Sequence, residues 1–300
     1  MLPYVRISRI EHWFKNLLIL PGAVLAVSLD VSGRSLAADL FTALKALLAA
    51  GLVSSGNYIV NEILDAPHDF HHPTKKHRPM ASGSARSCWA WALSAACYGA
   101  AFAFAWRFLS PAFLAPLALF LLVGGMLYNV PPFRFKEVAV LDVATESANN
   151  PIRMLLGWYA LTSVSFPGWS LLLAYWAFGA FIMTAKRLAE LRHLGDSGTA
   201  IRYRRSFRHY SERRLLVLLI LAALAGLSFL GAAICACRMP RLLPALPLGV
   251  GFIAWVIRLV YRDSVFPREP EKVWQEPLFT AYVVCSGLIL FAWALPLFGP

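Results

Sequence analysis

Charged residues are scarce in this chain. Only 15% of its 300 residues are Asp, Glu, Lys or Arg, whereas a soluble domain has about 25%. Hydrophobic residues make up 59%, and the mean hydropathy is +0.60. These values exclude a water-soluble protein of one or two domains, and they exclude a disordered chain, which needs low hydrophobicity and high charge. The composition predicts an all-α integral membrane protein.

Acidic residues are the rarest charges. The chain has 16 acidic and 28 basic side chains, which gives a formal net charge of +12. In a soluble protein this excess indicates nucleic acid, but in a membrane protein it first reports which side of the bilayer the loops occupy. We therefore expect a bilayer and no nucleic acid as a partner.

Recognised soluble-enzyme motifs and a disulfide framework are also missing. The five cysteines are an odd number and lie in or beside apolar runs, which is typical of buried small side chains. The sequence contains no P-loop, no G-x-G-x-x-G, no H-E-x-x-H and no G-x-S-x-G. The sequence therefore gives no support for a P-loop or dinucleotide-binding protein, a zincin metalloprotease or a serine hydrolase.

Long apolar runs are abundant. A membrane helix needs about 20 mostly apolar residues. Nine segments qualify, of which the first is short and the fifth is unusually polar: 15–30, 38–62, 88–108, 111–130, 139–161, 168–191, 213–236, 241–261 and 275–298. We predict a single domain over residues 1–300, with nine transmembrane helices around a central cavity open to the cytoplasmic side.

The basic residues predict the orientation of these spans. With the N-terminus inside and the C-terminus outside, most of the 28 Lys and Arg residues lie in cytoplasmic segments. We therefore expect an inner (cytoplasmic) membrane protein whose active site faces the cytoplasm.

Polar residues close the second span. Asn57, Asn61 and Asp65 are spaced i, i+4 and i+8, so they share one helical face. Pro67 is expected to break the helix, and Asp69 to turn back toward the same point from the loop. Oxygen ligands that converge at a helix end suit Mg²⁺, which also binds water and substrate phosphate. The alternative is a solvated loop with ordinary capping acids.

Cations accompany these acids. Lys75 and Arg78 follow directly, and a second group, Lys186, Arg187 and Glu190, ends the sixth span. Asp196 and Arg202 come next in the loop. The alternative interpretation of the Lys186–Glu190 pair is an i, i+4 surface salt bridge. Cations beside a metal site suit a diphosphate, whose charge one Mg²⁺ cannot neutralise.

A polar stripe runs along the fifth span over about 16 Å, which is half of the hydrocarbon core of about 30 Å. Polar groups at this depth are typical of a cavity wall or of an internal network that holds helices together, and both interpretations stay open. The stripe consists of Asp142, Glu146, Asn149, Asn150 and Arg153. Pro151 is expected to kink this helix.

Two sequence patterns resemble a known family. Asn61-x-x-x-Asp65-x-x-x-Asp69, followed by His72-Pro73-Thr74-Lys75-x-x-Arg78-Pro79, resembles the first aspartate-rich motif of the UbiA superfamily of intramembrane prenyltransferases. Glu62 stands where that family usually has Asp. The resemblance implies one UbiA-like transmembrane domain with Mg²⁺ as its cofactor.

Three shorter features are similar to the branch that contains the decaprenyl-phosphate phosphoribosyltransferases. They are Trp13-Phe14-Lys15-Asn16, Lys186-Arg187-x-Ala189-Glu190-Leu191 and Pro270-Glu271. This resemblance implies transfer of 5-phosphoribose from phosphoribosyl diphosphate to a polyprenyl phosphate, with release of diphosphate.

One segment favours a different branch. The sequence Tyr128-Asn129-Val130-Pro131-Pro132-Phe133-Arg134-Phe135-Lys136 looks like a loop of prenyl-transferring members. The alternative is therefore transfer of a prenyl group from an allylic diphosphate to an aromatic or lipid acceptor. A second alternative is a non-enzymatic lipid transporter that uses the polar stripe.

The residue patterns and the resemblance together assign roles to individual residues. Asp65, Asp69, Lys186, Arg187 and Glu190 are expected to be catalytic. The expected metal ligands are Asn61, Asp65, Asp69, Glu190 and Asp196. The expected contacts to the diphosphate-bearing donor and the polyprenyl lipid are Lys15, Asn57, Lys75, Arg78, Tyr128, Arg134, Lys136, Asp142, Glu146, Asn149, Asn150, Arg153 and Arg202. Association into a homo-oligomer stays open.

Overall fold

The computed structural model describes residues 2–29, 35–70 and 75–294, without the side chains of residues 29, 197, 202 and 271. His72, Pro73 and Thr74 of the family motif, and the side chain of Arg202, therefore lie outside the described part. Every regular element within the described ranges is helical.

Twelve α-helices occur in these ranges, joined by short 3-10 helices and one π-helical stretch. The α-helices are α1 (Leu2–Ser8), α2 (Leu20–Leu29), α3 (Leu36–Asp69), α4 (Ser87–Phe108), α5 (Pro111–Phe120), α6 (Leu141–Leu161), α7 (Trp169–Leu194), α8 (Ser197–Tyr203), α9 (Glu212–Ala236), α10 (Ala245–Tyr261), α11 (Val265–Arg268) and α12 (Pro277–Ala294). The longer of the remaining pieces are a 3-10 helix, Ile10–Ile19, before α2 and a π-helix, Leu121–Leu127, after α5.

Seven helical segments in the described ranges are long and apolar enough to cross a membrane. They are Leu2–Ser28, Leu36–Asp69, Ser87–Phe108, Trp169–Leu194, Glu212–Ala236, Pro240–Tyr261 and Pro277–Ala294. The other two predicted spans coincide with a shorter apolar helix, Pro111–Leu127, and with the polar helix α6. The count of nine and the central cavity stay predictions.

Helix α3 carries the first predicted cluster at its C-terminal end. It begins at Ser35, whose side chain accepts a hydrogen bond from the Ala38 amide, as an N-cap does. Its 34 residues extend over about 51 Å, which exceeds the hydrocarbon core of about 30 Å. The polar C-terminal turns can therefore lie beyond the core.

The expected helix break at Pro67 is wrong. The helix passes through Pro67 and ends at Asp69, and the Phe70 amide donates to the Ala66 carbonyl at 3.0 Å. A proline removes one backbone hydrogen bond, and here the following bond closes the last turn. Asp69 thus belongs to the same helical face as Asn61 and Asp65 rather than to a loop. Helix α6 likewise continues through Pro151.

The chain divides into two compact units. The first contains Met1–Lys136 and Ile152–Ser165, and the second contains Glu137–Pro151 and Phe166–Pro300. Helix α6 therefore contributes its first half to the second unit and its second half to the first.

Small residues allow two backbones to meet in the first unit. A Cβ atom on Gly157 of α6 would lie 1.9 Å from the Ile19 carbonyl oxygen and 2.8 Å from the Ala23 nitrogen. A Cβ atom on Gly22 would lie 2.1 Å from the Met154 carbonyl oxygen. Such close approach is typical of packed membrane helices, where small residues replace side-chain interdigitation.

We expect Gly157→Ala to destabilise the protein by about 3 kcal/mol, because the new methyl group meets backbone atoms that cannot rotate away. Gly99→Ala is the matched control, since its Cβ position in α4 meets no described atom within 4 Å apart from the local backbone of its own helix. That control should leave stability unchanged or raise it slightly. The unfolding midpoint in detergent measures both, and equal midpoints would contradict this packing.

The second unit has a continuous apolar core. Helices α7 and α9 pack against each other, and α10, α11 and α12 add aromatic and aliphatic side chains. Phe181, Leu188, Leu215 and Phe279 are almost completely buried there. Gly179 of α7 faces α6, because a Cβ atom on it would lie 2.3 Å from the Asn150 side-chain nitrogen. This packing fixes the faces of α6 and α7 that carry the second predicted cluster.

Candidate active site

The first acidic cluster lies on the last turns of α3, in the first unit. Asp65 Oδ1 accepts hydrogen bonds from Arg134 NH2 at 2.9 Å and from Lys136 Nζ at 2.6 Å. Both cations come from the turn that follows the π-helix, about seventy positions along the chain. Lys136 is buried, and its charge is compensated by this carboxylate. The structure therefore joins two groups that the sequence assigned separately.

An amide pair extends this cluster. Asn61 Nδ2 donates to Asn129 Oδ1 in a short bond, and Lys136 Nζ donates to the same oxygen at 3.2 Å. Asn129 in turn donates to the Gly124 carbonyl at 3.0 Å. Asn129 was not singled out by the sequence pattern, although it is part of the Tyr128–Lys136 segment.

Asp69 and Arg78 form the outer part of the same cluster. Arg78 NH1 donates to Asp69 Oδ2 at 2.6 Å, and Asp69 is buried. Glu62, which stands where the family usually has Asp, is also buried and accepts a hydrogen bond from the Met80 amide at 3.3 Å. Arg9 lies 3.7 Å from its other oxygen. Glu62 thus anchors the segment after α3 through the Met80 amide, while Asp69 pairs with Arg78 at the edge of the cluster.

Asn57 supports the π-helix beside the cluster. Its Oδ1 accepts from the Tyr98 hydroxyl at 2.8 Å, and its Nδ2 donates to the Phe120 carbonyl at 3.3 Å. A Cβ atom on Gly125 would lie 2.5 Å from Asn57 Oδ1, so a side chain there would displace the Asn57 amide. A π-turn releases backbone carbonyls, and Asn57 satisfies one of them. Tyr98 lies in an apolar run, and nothing in the sequence pattern identified it.

The second cluster, which we term the Arg187 cluster, consists of Arg187, Asp142, Glu146 and Glu190 in the second unit. Arg187 is 0% exposed and contacts all three carboxylates. Its Nε donates to Asp142 at 2.8 Å, its NH1 to Glu190 at 3.1 Å and its NH2 to Glu146 at 3.2 Å. One guanidinium therefore compensates three acids, and these four groups carry a net negative formal charge.

Asp142 is completely buried and accepts two further hydrogen bonds. The Tyr210 hydroxyl donates to Oδ1 at 2.6 Å, and the Ser206 hydroxyl donates to Oδ2 at 3.1 Å. The Val140 amide donates to the Tyr210 oxygen at 2.7 Å. Burial, and then the Asp142 charge, raise the pKa of Tyr210, so this hydroxyl remains a donor at neutral pH. Ser206 and Tyr210 lie in an Arg-rich stretch and gave no sequence signal of their own.

The connection after α7 contains the other predicted residues. Asp196 is exposed and caps α8, because its Oδ2 accepts from the Thr199 amide at 2.8 Å. Lys186 and Arg204 act electrostatically on Glu190. Burial, followed by the charge of Glu190, raises the pKa of Tyr203. Cations and a buried carboxylate thus lie close together here, whereas Asp196 has a capping role.

The remaining predicted residues are dispersed within their own units. Arg153 Nε donates to Asn16 Oδ1 at 3.0 Å, and its guanidinium lies 4.9 Å from the centre of the Phe120 ring. Asn149 Nδ2 donates to the Glu146 carbonyl at 3.1 Å. The others are partly buried: Lys15, Lys75, Tyr128 and Asn150.

The first cluster fits Mg²⁺ by its chemistry. The described residues contain no group of three His, Cys, Asp or Glu side chains placed to cage a metal. Mg²⁺ does not need such a cage, since one or two carboxylates with water and substrate phosphate complete its shell. Asn61, Asp65 and Asp69 supply oxygen donors on one helical face, and both hydrogen bonds to Asp65 are made to Oδ1. The donor set therefore suits a hard cation.

Comparison with known proteins identifies the family. The model of the UbiA prenyltransferase family matches residues 17–279, which includes both clusters. The chain belongs to this family. A decaprenyl-phosphate phosphoribosyltransferase from Mycobacterium tuberculosis is 32% identical over 227 residues, which cover 74% of this chain and 70% of that relative. The nodulation protein NoeC from Azorhizobium caulinodans is 28% identical over 235 residues, which cover 76% and 70%.

The fold has a solved counterpart. The structure of a UbiA homolog from Archaeoglobus fulgidus bound to DMAPP and Mg²⁺ matches with a TM-score of 0.71 at 16% identity, covering 97% of each chain. Family membership and the apolar helices together identify this UbiA-family chain as an integral membrane transferase. The family prediction from the Asn61–Asp69 motif and its continuation to Pro79 is confirmed.

Proposed function

We propose that this chain transfers 5-phosphoribose from phosphoribosyl diphosphate to a polyprenyl phosphate in a Mg²⁺-dependent reaction. The observation that carries the proposal is the 32% identity, over most of both chains, with a relative named decaprenyl-phosphate phosphoribosyltransferase. The Arg187 cluster supports it, since it is built on the Lys186-Arg187-x-Ala189-Glu190 sequence that resembles this branch.

In the reaction, a phosphate oxygen of the lipid attacks the anomeric carbon of the ribose. The bond from that carbon to the diphosphate breaks, and diphosphate leaves with the electron pair. Mg²⁺, when bound, would neutralise the charge that develops on the leaving group. The protein therefore has to bind anions and stabilise departing negative charge, and such stabilisation accounts for most of the rate acceleration in many enzymes.

The first cluster supplies the metal ligands in this proposal. Asn61, Asp65 and Asp69 would hold Mg²⁺, while Arg134 and Lys136 orient the Asp65 carboxylate. Arg78 already pairs with Asp69 and is available to a phosphate oxygen at the edge of the cluster. Lys75 lies three positions before Arg78 and adds to the positive charge there.

The Arg187 cluster supplies a second acidic group. Glu190 and Glu146 would bind a cation, and Lys186 and Arg204 would neutralise phosphate oxygens near them. Because Arg187 is completely buried and engaged by three carboxylates, we assign it to holding these acids rather than to direct contact with the donor.

A direct assay tests the proposal. Purified protein with Mg²⁺, phosphoribosyl diphosphate and a polyprenyl phosphate should release diphosphate and form a lipid-linked phosphoribose, detected by mass spectrometry. A parallel reaction contains geranyl diphosphate in place of the sugar donor. Turnover of geranyl diphosphate without any turnover of phosphoribosyl diphosphate rejects the proposal.

Prenyl transfer is the second candidate function. It is favoured by the Pro131–Lys136 segment, which resembles prenyl-transferring members and holds Asp65 through Arg134 and Lys136. In that case the donor carries the lipid and the acceptor is aromatic or lipid. The same pair of assays distinguishes the two functions, since each one has a different diphosphate as its donor.

We propose an N-terminus inside and a C-terminus outside, with the chemistry on the cytoplasmic side. Most basic residues fall in the segments that this orientation places inside. A C-terminal alkaline phosphatase fusion is then expected to be active, and a C-terminal green fluorescent protein fusion to be dark. The reverse pattern would place the C-terminus in the cytoplasm and contradict the proposed orientation.

A further inference from the structure

Two hydroxyl groups stand out in the basic connection between α8 and α9. The 3-10 helix Arg205–His209 and the following Tyr210 contain several exposed residues, yet Ser206 is 0% exposed and Tyr210 is also buried. Burying a hydroxyl is unfavourable unless it is hydrogen-bonded. Both hydroxyls donate to the same carboxylate, that of Asp142. The connection is therefore attached to α6 through the buried Asp142 carboxylate.

Asp142 cannot contact a substrate in this arrangement. It is 0% exposed, and three donors from Arg187, Ser206 and Tyr210 occupy its two oxygens. Its effect on chemistry must therefore pass through a neighbour. Arg187 is that neighbour, because its remaining two nitrogens reach Glu146 and Glu190.

Three carboxylates share one guanidinium in the Arg187 cluster. When Asp142 attracts Arg187 more strongly, Arg187 interacts more weakly with Glu146 and Glu190, and these two carboxylates are less well neutralised. The hydroxyl donors weaken that attraction, because they stabilise the Asp142 charge by hydrogen bonds of their own. Ser206 and Tyr210 thus affect how the charge of Arg187 is divided.

We propose that Tyr210 and Ser206 are positioning residues that set, through Asp142 and Arg187, the affinity of Glu146 and Glu190 for a divalent cation. This inference rests on the proposed function in one respect, namely that these two glutamates bind a cation. It adds residues outside the acidic motifs, and it gives the Arg-rich connection a role beyond membrane topology.

The network predicts shifts of opposite sign. In Tyr210→Phe, Asp142 loses a donor and attracts Arg187 more strongly, so Glu146 and Glu190 are left more negative and bind a cation more tightly. In Asp142→Asn, the competing charge disappears, so Arg187 pairs with the two glutamates and cation binding weakens. Ser206→Ala should act in the same direction as Tyr210→Phe, with a smaller effect because its bond is longer.

Binding of Mn²⁺, measured by electron paramagnetic resonance without any donor, tests this inference. The relevant signal is the bound Mn²⁺ that Glu190→Gln removes, which separates this cluster from the one on α3. We expect the Kd to rise about tenfold in Asp142→Asn, as is usual when a supporting group around a metal site is removed. We expect it to fall about threefold in Tyr210→Phe, since a hydrogen bond to a charged group is lost.

Tyr282→Phe is the matched control. Its hydroxyl donates to the Leu248 carbonyl at 2.6 Å in the same unit, away from the cluster, so its removal should leave the Kd unchanged. Weaker Mn²⁺ binding in both Tyr210→Phe and Asp142→Asn, with a parallel loss of thermal stability, would indicate a purely structural role and overturn the inference. Absence of Mn²⁺ binding that depends on Glu190 would overturn it as well. Opposite shifts together with failed phosphoribosyl transfer would reject the proposed function and leave the inference standing.

Discussion

Asp65→Asn is expected to lower the rate of transfer by about 10²–10³-fold, the range found when one preorganised electrostatic contact to a reacting charge is removed. Asparagine keeps an oxygen that can accept from Arg134 and Lys136, so the local structure should survive. It removes the negative charge that a divalent cation needs. The rate of transfer should therefore fall sharply, and stability should fall as well, because the buried Lys136 loses the charge that compensates it.

Two measurements separate these effects, the rate of diphosphate release and the unfolding midpoint in detergent. Asp263→Asn is the control, because this exposed carboxylate pairs with Arg268 and His193 outside both clusters. It should keep full activity. Unchanged turnover in the Asp65→Asn protein would show that Asp65 takes no part in the reaction.

Arg187→Met should cost about 3–5 kcal/mol of stability, since breaking a buried ion pair leaves uncompensated charge behind. In this cluster the loss is concentrated on Asp142, which is completely buried and bonded to Arg187 at 2.8 Å. Methionine fills most of the volume of the arginine stem, so the effect reports charge more than packing.

A second substitution tests this explanation. Adding Asp142→Asn to Arg187→Met should restore part of the lost stability, because it removes the orphaned charge while keeping the shape. Arg241→Met is the matched control, since that arginine donates to the Ala294 carbonyl rather than to a carboxylate. If Asp142→Asn destabilises the Arg187→Met protein further, Asp142 is not the group that needs Arg187.

Much of the fold could be predicted from apolar runs alone. Seven predicted spans coincide with long apolar helices in the described ranges, because span length is set by bilayer thickness. The helix end at Asp69 could not be predicted in this way. A proline ends a helix only when no later backbone hydrogen bond closes the turn. Glycine at positions 22 and 157 is unremarkable in sequence, because backbone approach depends on which helices meet.

The grouping of residues in the candidate site could be predicted where they share a helix. Asn57, Asn61 and Asp65 follow a four-residue spacing, and Arg187 and Glu190 are neighbours on α7. The partners of these residues come from distant positions: Lys136 for Asp65, and Tyr210 for Asp142. No local periodicity encodes those contacts. Polar residues in an Arg-rich connection resemble ordinary surface residues. The burial of Ser206 and Tyr210 could therefore be recognised only from the tertiary structure.

The buried carboxylate of Asp142 also has a consequence for biosynthesis. Its partners are 45, 64 and 68 positions further along the chain, so they leave the ribosome after α6 has been made. An unpaired carboxylate in lipid is costly. We therefore expect that a chain truncated before residue 187 leaves the Asp142 charge uncompensated and is degraded faster than the full chain.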